Sequence, residues 1–532
     1  MLYARQAGGA AVSENPCFYW FGWVAEWTIA AVLKTAVPQG TGGSNPSPSA
    51  NDLMARVQRE SSRQLYGIQL MLSTAPRRYA LSLLALVCTL TWAPLVQAQV
   101  RVGTFTADIT IPIGHRCMGI LPTKAQRIDD PLQAVGVVLL GEQQPVVVLA
   151  LDWCEVRNGA YDLWRDELAK AAGTTRQRVL VCSLHQHDAP VTDNRAQELL
   201  DEVGLPKELF DVEFQAACIA DTAQALRRAI EQAQPVTHIG LGQAQVEKVA
   251  SNRRVEHADG TVHFDRYSRS EPDSYQATSP PGEIDPWLKS ISFWNGEQEL
   301  AVISCYATHP MSAYGQGAVS ADFIGQARRR RQVETPNTLQ LYLTGCSGDI
   351  TAGKYNDGSL AARGQLADRM YQAMASAAER TQRHELDQWT FRNAELVLPF
   401  HEGAEFTREA MLGVLHDDQQ TTEQRILAAM GLSSLERVAR GEPIDLPCID
   451  LGVAQLLVLP GETFVGYQLL AQQLKPQGFV MTSGYGECWT GYIPTQRAMD
   501  DGFNHGWRWV GPGCEPIIER ALTAVLKPQA GQ

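Results

Sequence analysis

No CxxC pair occurs among the 11 cysteines, so the chain lacks the paired-thiol motifs. Basic charge is also scarce. Its 45 Lys and Arg against 58 Asp and Glu give a net charge of −13 and a pI near 5.4. That balance excludes a phosphate-backbone binder, whose affinity comes from clustered Lys and Arg. The one basic run, Arg328-Arg329-Arg330-Arg331, reads as a solvated helix face. No uninterrupted apolar run reaches the roughly 20 residues that span a bilayer. Past Gln99 there is neither an internal repeat nor a long linker. What is present is an ordinary globular composition, 45% hydrophobic and 19% charged over 532 residues, with ample core for a large enzyme.

The first hundred residues read differently from the rest. Residues 1–70 have no sustained periodicity and include the Gly/Ser/Pro/Asn stretch from Gly40 to Pro48. From Met71 onward come Arg77-Arg78, the apolar run Ala80 to Leu90, and Val96-Gln97-Ala98 with the small-residue spacing of a signal-peptidase site. The expectation is an untranslated or disordered extension over 1–70, a signal peptide over 71–98 and a catalytic domain over 99–532. The product would be exported to a periplasm or beyond, with no stable membrane span after cleavage. Nine cysteines lie past residue 98, several at the ends of apolar strands, where Cys acts as a small buried hydrophobe. Cys488 with Cys514 is the one disulfide expected.

Beyond Gln99, apolar strands alternate with amphipathic helices, which predicts an α/β fold with a mixed β-sheet core flanked by helices. Strands are predicted at 135–140, 145–151, 179–182, 289–294, 301–305, 339–343, 389–398 and 454–459. Helices are predicted at 160–172, 359–380, 421–440 and 464–473.

Four segments at strand ends carry the chemistry. Ser183-Leu184-His185-Gln186-His187-Asp188 follows a strand, and in extended backbone residues two apart face one side, so both imidazoles could reach one pocket. Ala307-Thr308-His309-Pro310 holds its His extended ahead of Pro, which suits a rigid ligand as well as a structural His. In Leu459-Pro460-Gly461-Glu462-Thr463 the carboxylate is either a helix N-terminal residue or a ligand. The fourth segment is Gly491-Tyr492-Ile493-Pro494-Thr495. Two imidazoles, a carboxylate and a phenol from distant loops form the donor mixture of a catalytic zinc with a position open for water.

The order and context of these segments resemble the catalytic domain of the neutral/alkaline non-lysosomal ceramidases, zinc amidases that cut the N-acyl bond of sphingolipids. The resemblance implies Zn2+ held by His185, His309, Glu462 and Tyr492, with His187 unligated and moving protons. Ala318-Val319-Ser320-Ala321-Asp322 resembles the family's Ser-x-Asp segment and implies a catalytic role for Ser320. Asp322 would orient that serine or cap the helix expected from Phe323. Asn252-Arg253 resembles a pair whose Arg stabilises an oxyanion, although a loop charge reads equally well. Gly345-Cys346-Ser347-Gly348-Asp349 resembles a supporting loop. Two departures stand out: Asp188-Ala189-Pro190 replaces a Ser/Thr- and Gly-rich turn, and no second Tyr follows Tyr492, its place falling to Asn504 or His505. The family's accessory immunoglobulin-like domain would follow the catalytic one, and this chain ends soon after Tyr492.

The resemblance therefore implies a secreted, zinc-dependent hydrolase of a linear amide, taking a small-molecule or lipid-like N-acyl substrate, with activated water attacking the carbonyl. Two other readings stay open: a metal-independent serine hydrolase using Ser320, and a non-catalytic binding protein on the same fold.

Overall fold

The computed structural model describes residues 99–527. The extension expected at 1–70 and the signal peptide expected at 71–98 lie outside the described residues. The run Val146-Val147-Val148-Leu149-Ala150-Leu151 is too short for an independent helix and apolar on both faces, which suits a strand covered on both sides. It forms the strand Val146–Leu151, buried throughout. Val147 and Leu149 enter one core cluster, while Val146, Val148 and Ala150 enter another, as a side-chain period of two dictates.

Three sheets follow one plan. The first contains Arg101–Asp108, Gln133–Leu140, Val146–Leu151 and Val179–Ser183; the second His238–Gln245, Trp287–Asn295, Gln298–Tyr306 and Leu339–Thr344; the third Thr390–Leu396, Ile444–Asp450, Ala454–Val458 and Phe479–Ser483. In each, the four strands lie side by side in chain order. The first two pairings are antiparallel and the last is parallel. A parallel pair needs a crossover, which the helices Asn158–Ala172, Asp322–Glu334 and Val465–Leu474 supply. The α/β class stands, but the expectation of one mixed sheet without internal repeats is corrected to three copies of one topological unit. Beyond the apolar pattern the copies share little more than a Ser or Thr at the end of each fourth strand, Ser183, Thr344 and Ser483.

One face of all three sheets meets in a common core that includes Val137, Val148, Ile303, Leu341, Leu456 and Met481. The crossover helices pack on the other faces. The ends of the parallel strands are tied together: Ser183 N donates to Tyr485 O (2.9 Å), Gly484 N to Thr344 O (2.9 Å) and Thr344 Oγ1 to Leu184 O (2.8 Å). Loops leaving the carboxyl ends of six parallel strands therefore converge on one place, the usual location of sites in open α/β sheets.

Other helices follow their sequence signals. Leu360–Glu379 starts at Ser359, whose hydroxyl accepts from Ala362 N, and Thr422–Ala439 starts at a capping box of Thr421 and Gln424. No helix among the described residues is long and apolar enough to cross a membrane. Two further expectations are corrected. All nine described cysteines are free and buried, and the Cys488 and Cys514 thiols donate to Gly486 O and Gly511 O instead of bonding to each other. The basic run is a solvated face only in part: Arg330 is exposed, whereas Arg328 is buried in a two-pronged ion pair with Asp152 (2.8 and 2.7 Å).

Candidate metal centre

Each unit places one polar residue just beyond its third strand: Glu155, His309 and Glu462. Beyond the fourth strands come His185 and His187, then Ser347 and Asp349, then Tyr485. His185 and Tyr485 follow Ser183 and Ser483 at equal spacing, and both adopt positive φ, +70° and +58°. A non-glycine residue pays steric strain in that region and holds it only where surrounding contacts fix the backbone. Here His185 N donates to Trp153 O (2.9 Å), Tyr485 N donates to Gly461 O (2.9 Å), and the two rings stack at 4.4 Å.

Hydrogen-bond logic then fixes the imidazoles. His185 Nδ1 faces Cys154 O (3.0 Å), and His309 Nδ1 faces Ser347 O (2.5 Å) and Ile350 O (3.0 Å). Carbonyls only accept, so each Nδ1 carries a hydrogen and each Nε2, in the neutral ring, presents a lone pair. Both Nε2 atoms point at one oxygen of Glu462, Oε2, at 3.4 Å from His185 and 2.8 Å from His309. As neutral imidazoles the two would join Glu462 Oε2 as three converging acceptors, inside a site where all three side chains are buried and with the Arg253 guanidinium 3.2 Å from His309 Nε2. Such an arrangement is satisfied by a cation, and the carbonyl partners on Nδ1 are those that orient metal-bound histidines. The donor set therefore fits a metal ion. The possible ligand atoms of His185, His187 and His309 lie within 4.8 Å of one another, as do those of Glu155, His185 and Glu462.

The site's own charges balance against one another: burial opposes the His185 imidazolium, but Cys154 and Glu462 hold its pKa well above the ordinary value. Although burial disfavours its charge, His185 and His309 hold the Glu462 carboxylate well below the usual range. Burial and the Arg253 guanidinium lower His309 to about 4. His187 is lowered well below its ordinary value by burial and by the neighbouring His185 and His309. Its ring nitrogens are buried and have no hydrogen-bond partner among the described residues, and its ring meets Tyr314 edge-on at 4.6 Å.

Tyr492 reaches the centre through the pairing of the two-residue strands Glu462–Thr463 and Tyr492–Ile493, in which Glu462 lies opposite Tyr492. Arg253 donates from Nη1 to Tyr492 Oη (2.9 Å) and from Nη2 to His309 Nε2 (3.2 Å). It is buried, so the loop-charge reading does not hold. The Asn252-Arg253 backbone is set by Asp349, whose carbonyl accepts from Arg253 N (2.7 Å) and whose carboxylate takes Asn252 Nδ2 and Val465 N. His505 packs edge-on against the Tyr492 ring at 4.7 Å.

Ser320 is not joined to this cluster by any hydrogen bond among the described residues. Its Oγ donates to Asp130 Oδ2 (2.7 Å) and accepts from Asp322 N (2.9 Å). The Asp322 carboxylate faces Ser312 and Arg363 instead of Ser320, and the helix begins at Asp322. Asp188 accepts from Gly315 N (2.9 Å), which shapes the turn after His187. Sequence reasoning missed Glu155, Tyr485 and Asp130. Their place at or near the ends of strands was the only available signal, and it is shared by many inert residues.

Three sheets of one plan around a buried His/Glu centre able to hold a metal define an α/β protein with a single convergent site. That fold is the fold of neutral ceramidase. The crystal structure of neutral ceramidase from Pseudomonas aeruginosa superimposes with a TM-score of 0.60 at 16% identity, covering 81% of this chain and 74% of that one. A ceramidase complexed with C2 gives 0.59 at 15% identity, covering 81% and 75%. Neither a protein-family description nor a curated protein matches the sequence.

Proposed function

We propose that the protein is a zinc-dependent hydrolase of an N-acyl amide bond, ceramidase-like, acting on a small-molecule or lipid-like substrate after export. The observation that carries this reading is the convergence of His185 Nε2, His309 Nε2 and Glu462 Oε2 at one buried point, with both Nδ1 atoms turned to backbone carbonyls. Tyr492 completes the ligand set. When bound, zinc supplies a Lewis acid that polarises a carbonyl and acidifies water.

The chain's own residues do the rest. His187 is neutral at working pH, buried and unpartnered, so it can accept a proton from water and pass it to the leaving amine. Arg253 is a fixed cation beside Tyr492 and donates to the oxygen that gains charge as the carbonyl becomes tetrahedral. Ser320 supports the loop ahead of the Asp322–Glu334 helix through Asp130 and Asp322. The serine-hydrolase alternative gains nothing from this geometry, since the Ser320 hydroxyl has an aspartate and no histidine as partner.

The test is metal content together with hydrolysis of a fluorogenic N-acylsphingosine before and after chelation. One zinc per chain and chelator-sensitive cleavage are expected, with both lost in His185→Ala. Undiminished turnover in that variant would sink the reading.

A further inference from the structure

Tyr485 belongs to the third unit, yet it is tied to the residues that carry all three converging donors. Its N–H donates to Gly461 O (2.9 Å), one residue before Glu462, and its carbonyl accepts from Ser183 N (2.9 Å), two residues before His185. The side chain then reaches both imidazoles. Its ring stacks on His185 at 4.4 Å and 25°, and meets His309 edge-on at 5.9 Å and 89°. Its hydroxyl shares a hydrogen bond with Ser347 Oγ (2.8 Å) and lies 3.4 Å from His309 Nδ1, whose hydrogen goes to Ser347 O. Tyr485 and Ser347 are both fully buried.

Resting on the metal reading of the centre, we propose that Tyr485 is the positioning residue for both histidines. Its ring fixes the plane of His185, and its hydroxyl, acting through Ser347, fixes the direction of His309. A carbonyl on Nδ1 holds one atom of an imidazole and leaves the ring free to turn about that bond. For His185 the stacked phenol removes this freedom. For His309 the direction depends on where Ser347 lies, and Ser347 is anchored by the phenol at its hydroxyl and by Ile350 N (3.0 Å) at its carbonyl. The positive φ of Tyr485 is what turns its ring toward both imidazoles from a loop of a different unit, and such strain persists only where the surroundings over-determine it.

The test is competition for zinc between the full chain and a chromophoric chelator. Tyr485→Phe keeps the stacked ring and should weaken zinc about tenfold, and Tyr485→Leu, which loses ring and hydroxyl, about a hundredfold, the span usual for groups that orient metal-bound histidines. Because the hydroxyl acts through Ser347, Tyr485→Phe combined with Ser347→Ala should bind zinc no more weakly than the worse single variant, whereas independent losses would add. The visible absorption bands of the cobalt-loaded protein report the geometry of the ligands and not the stability of the fold, and should shift in Tyr485→Leu. Should Tyr485→Leu not fold, Tyr485→Phe and its combination with Ser347→Ala decide alone. Native zinc affinity in Tyr485→Phe, or losses that add in the double variant, overturn the positioning role and leave the zinc hydrolase standing. A native chain that takes up no zinc overturns the metal reading and this role together.

Discussion

Arg253 is the residue whose loss should separate metal binding from turnover. It reaches Tyr492 Oη and His309 Nε2 with its two Nη atoms, a fork that a lysine cannot reproduce. Arg253→Lys is expected to keep one zinc per chain and to lower kcat by about 10²- to 10³-fold, the usual effect of removing one donor to a developing oxyanion. Metal analysis alongside steady-state kinetics checks this, and parallel loss of zinc would make Arg253 a structural strut. Ser320→Ala should do the reverse. It leaves the Asp322 N–H without its acceptor and Asp130 Oδ2 without the Ser320 hydroxyl, which costs about 1–3 kcal/mol in urea unfolding, with kcat within a few-fold of the native value. A thousandfold drop in kcat would restore the serine as nucleophile. At this scale His185, His187, His309 and Glu462 were legible because each directly follows an apolar strand and has the right donor chemistry. Arg328 was misread because its burial depends on Asp152, a partner that no local pattern announces.

At the scale of elements, the centre depends on two very short strands. Glu462–Thr463 and Tyr492–Ile493 are each entered through a glycine at positive φ, Gly461 at +46° and Gly491 at +57°. A Cβ at Gly491 would lie 2.0 Å from Trp507 O, and one at Gly461 would lie 2.1 Å from Thr490 Oγ1. Both freedoms, of dihedral and of approach, are used at once. Gly491→Ala is therefore expected to cost on the order of 3 kcal/mol and to displace Tyr492 enough to weaken zinc binding. Denaturant unfolding and zinc titration read the two effects separately; a variant that unfolds like the native protein and keeps its zinc affinity would show that the pairing is dispensable. The longer strands were legible because runs such as Val146–Leu151 are apolar on both faces. The two-residue strands were not, since a run that short has no period. The threefold plan was hidden for a related reason, because it is written in pairing order and crossover position, which sequence similarity between the copies no longer reflects.

For the whole molecule, the segment that carries Tyr485 to Tyr492 is locked to distant parts of the chain by buried charge. Arg157 pairs with Glu155 (3.1 Å), reaches Trp489 O (3.2 Å) and lies over the Trp509 ring at 4.1 Å. Glu487 accepts from Asn158 N (2.8 Å) and Trp489 N (3.0 Å), with Arg437 at 3.6 Å, and its own carbonyl accepts from Gly461 N (3.0 Å) beside Glu462. The links from Arg157 to Trp489 and Trp509 and from Asn158 to Glu487 join residues more than 300 positions apart, beyond any reading by composition or local spacing. Burial raises the Glu487 carboxyl from 4.5 to about 7 against the opposing pull of Arg437. The folded protein then binds a proton between these values that the unfolded chain releases, so this group's contribution is complete below about pH 4.5 and declines as pH rises through 7. Its full span is on the order of 3 kcal/mol. Glu487→Gln, which resembles the protonated acid, should remove this decline. The difference in Tm between variant and native protein is expected to move in the variant's favour from pH 5 to pH 8. A pH-independent difference would mean that Glu487 stays ionised, with Arg437 supplying the whole compensation.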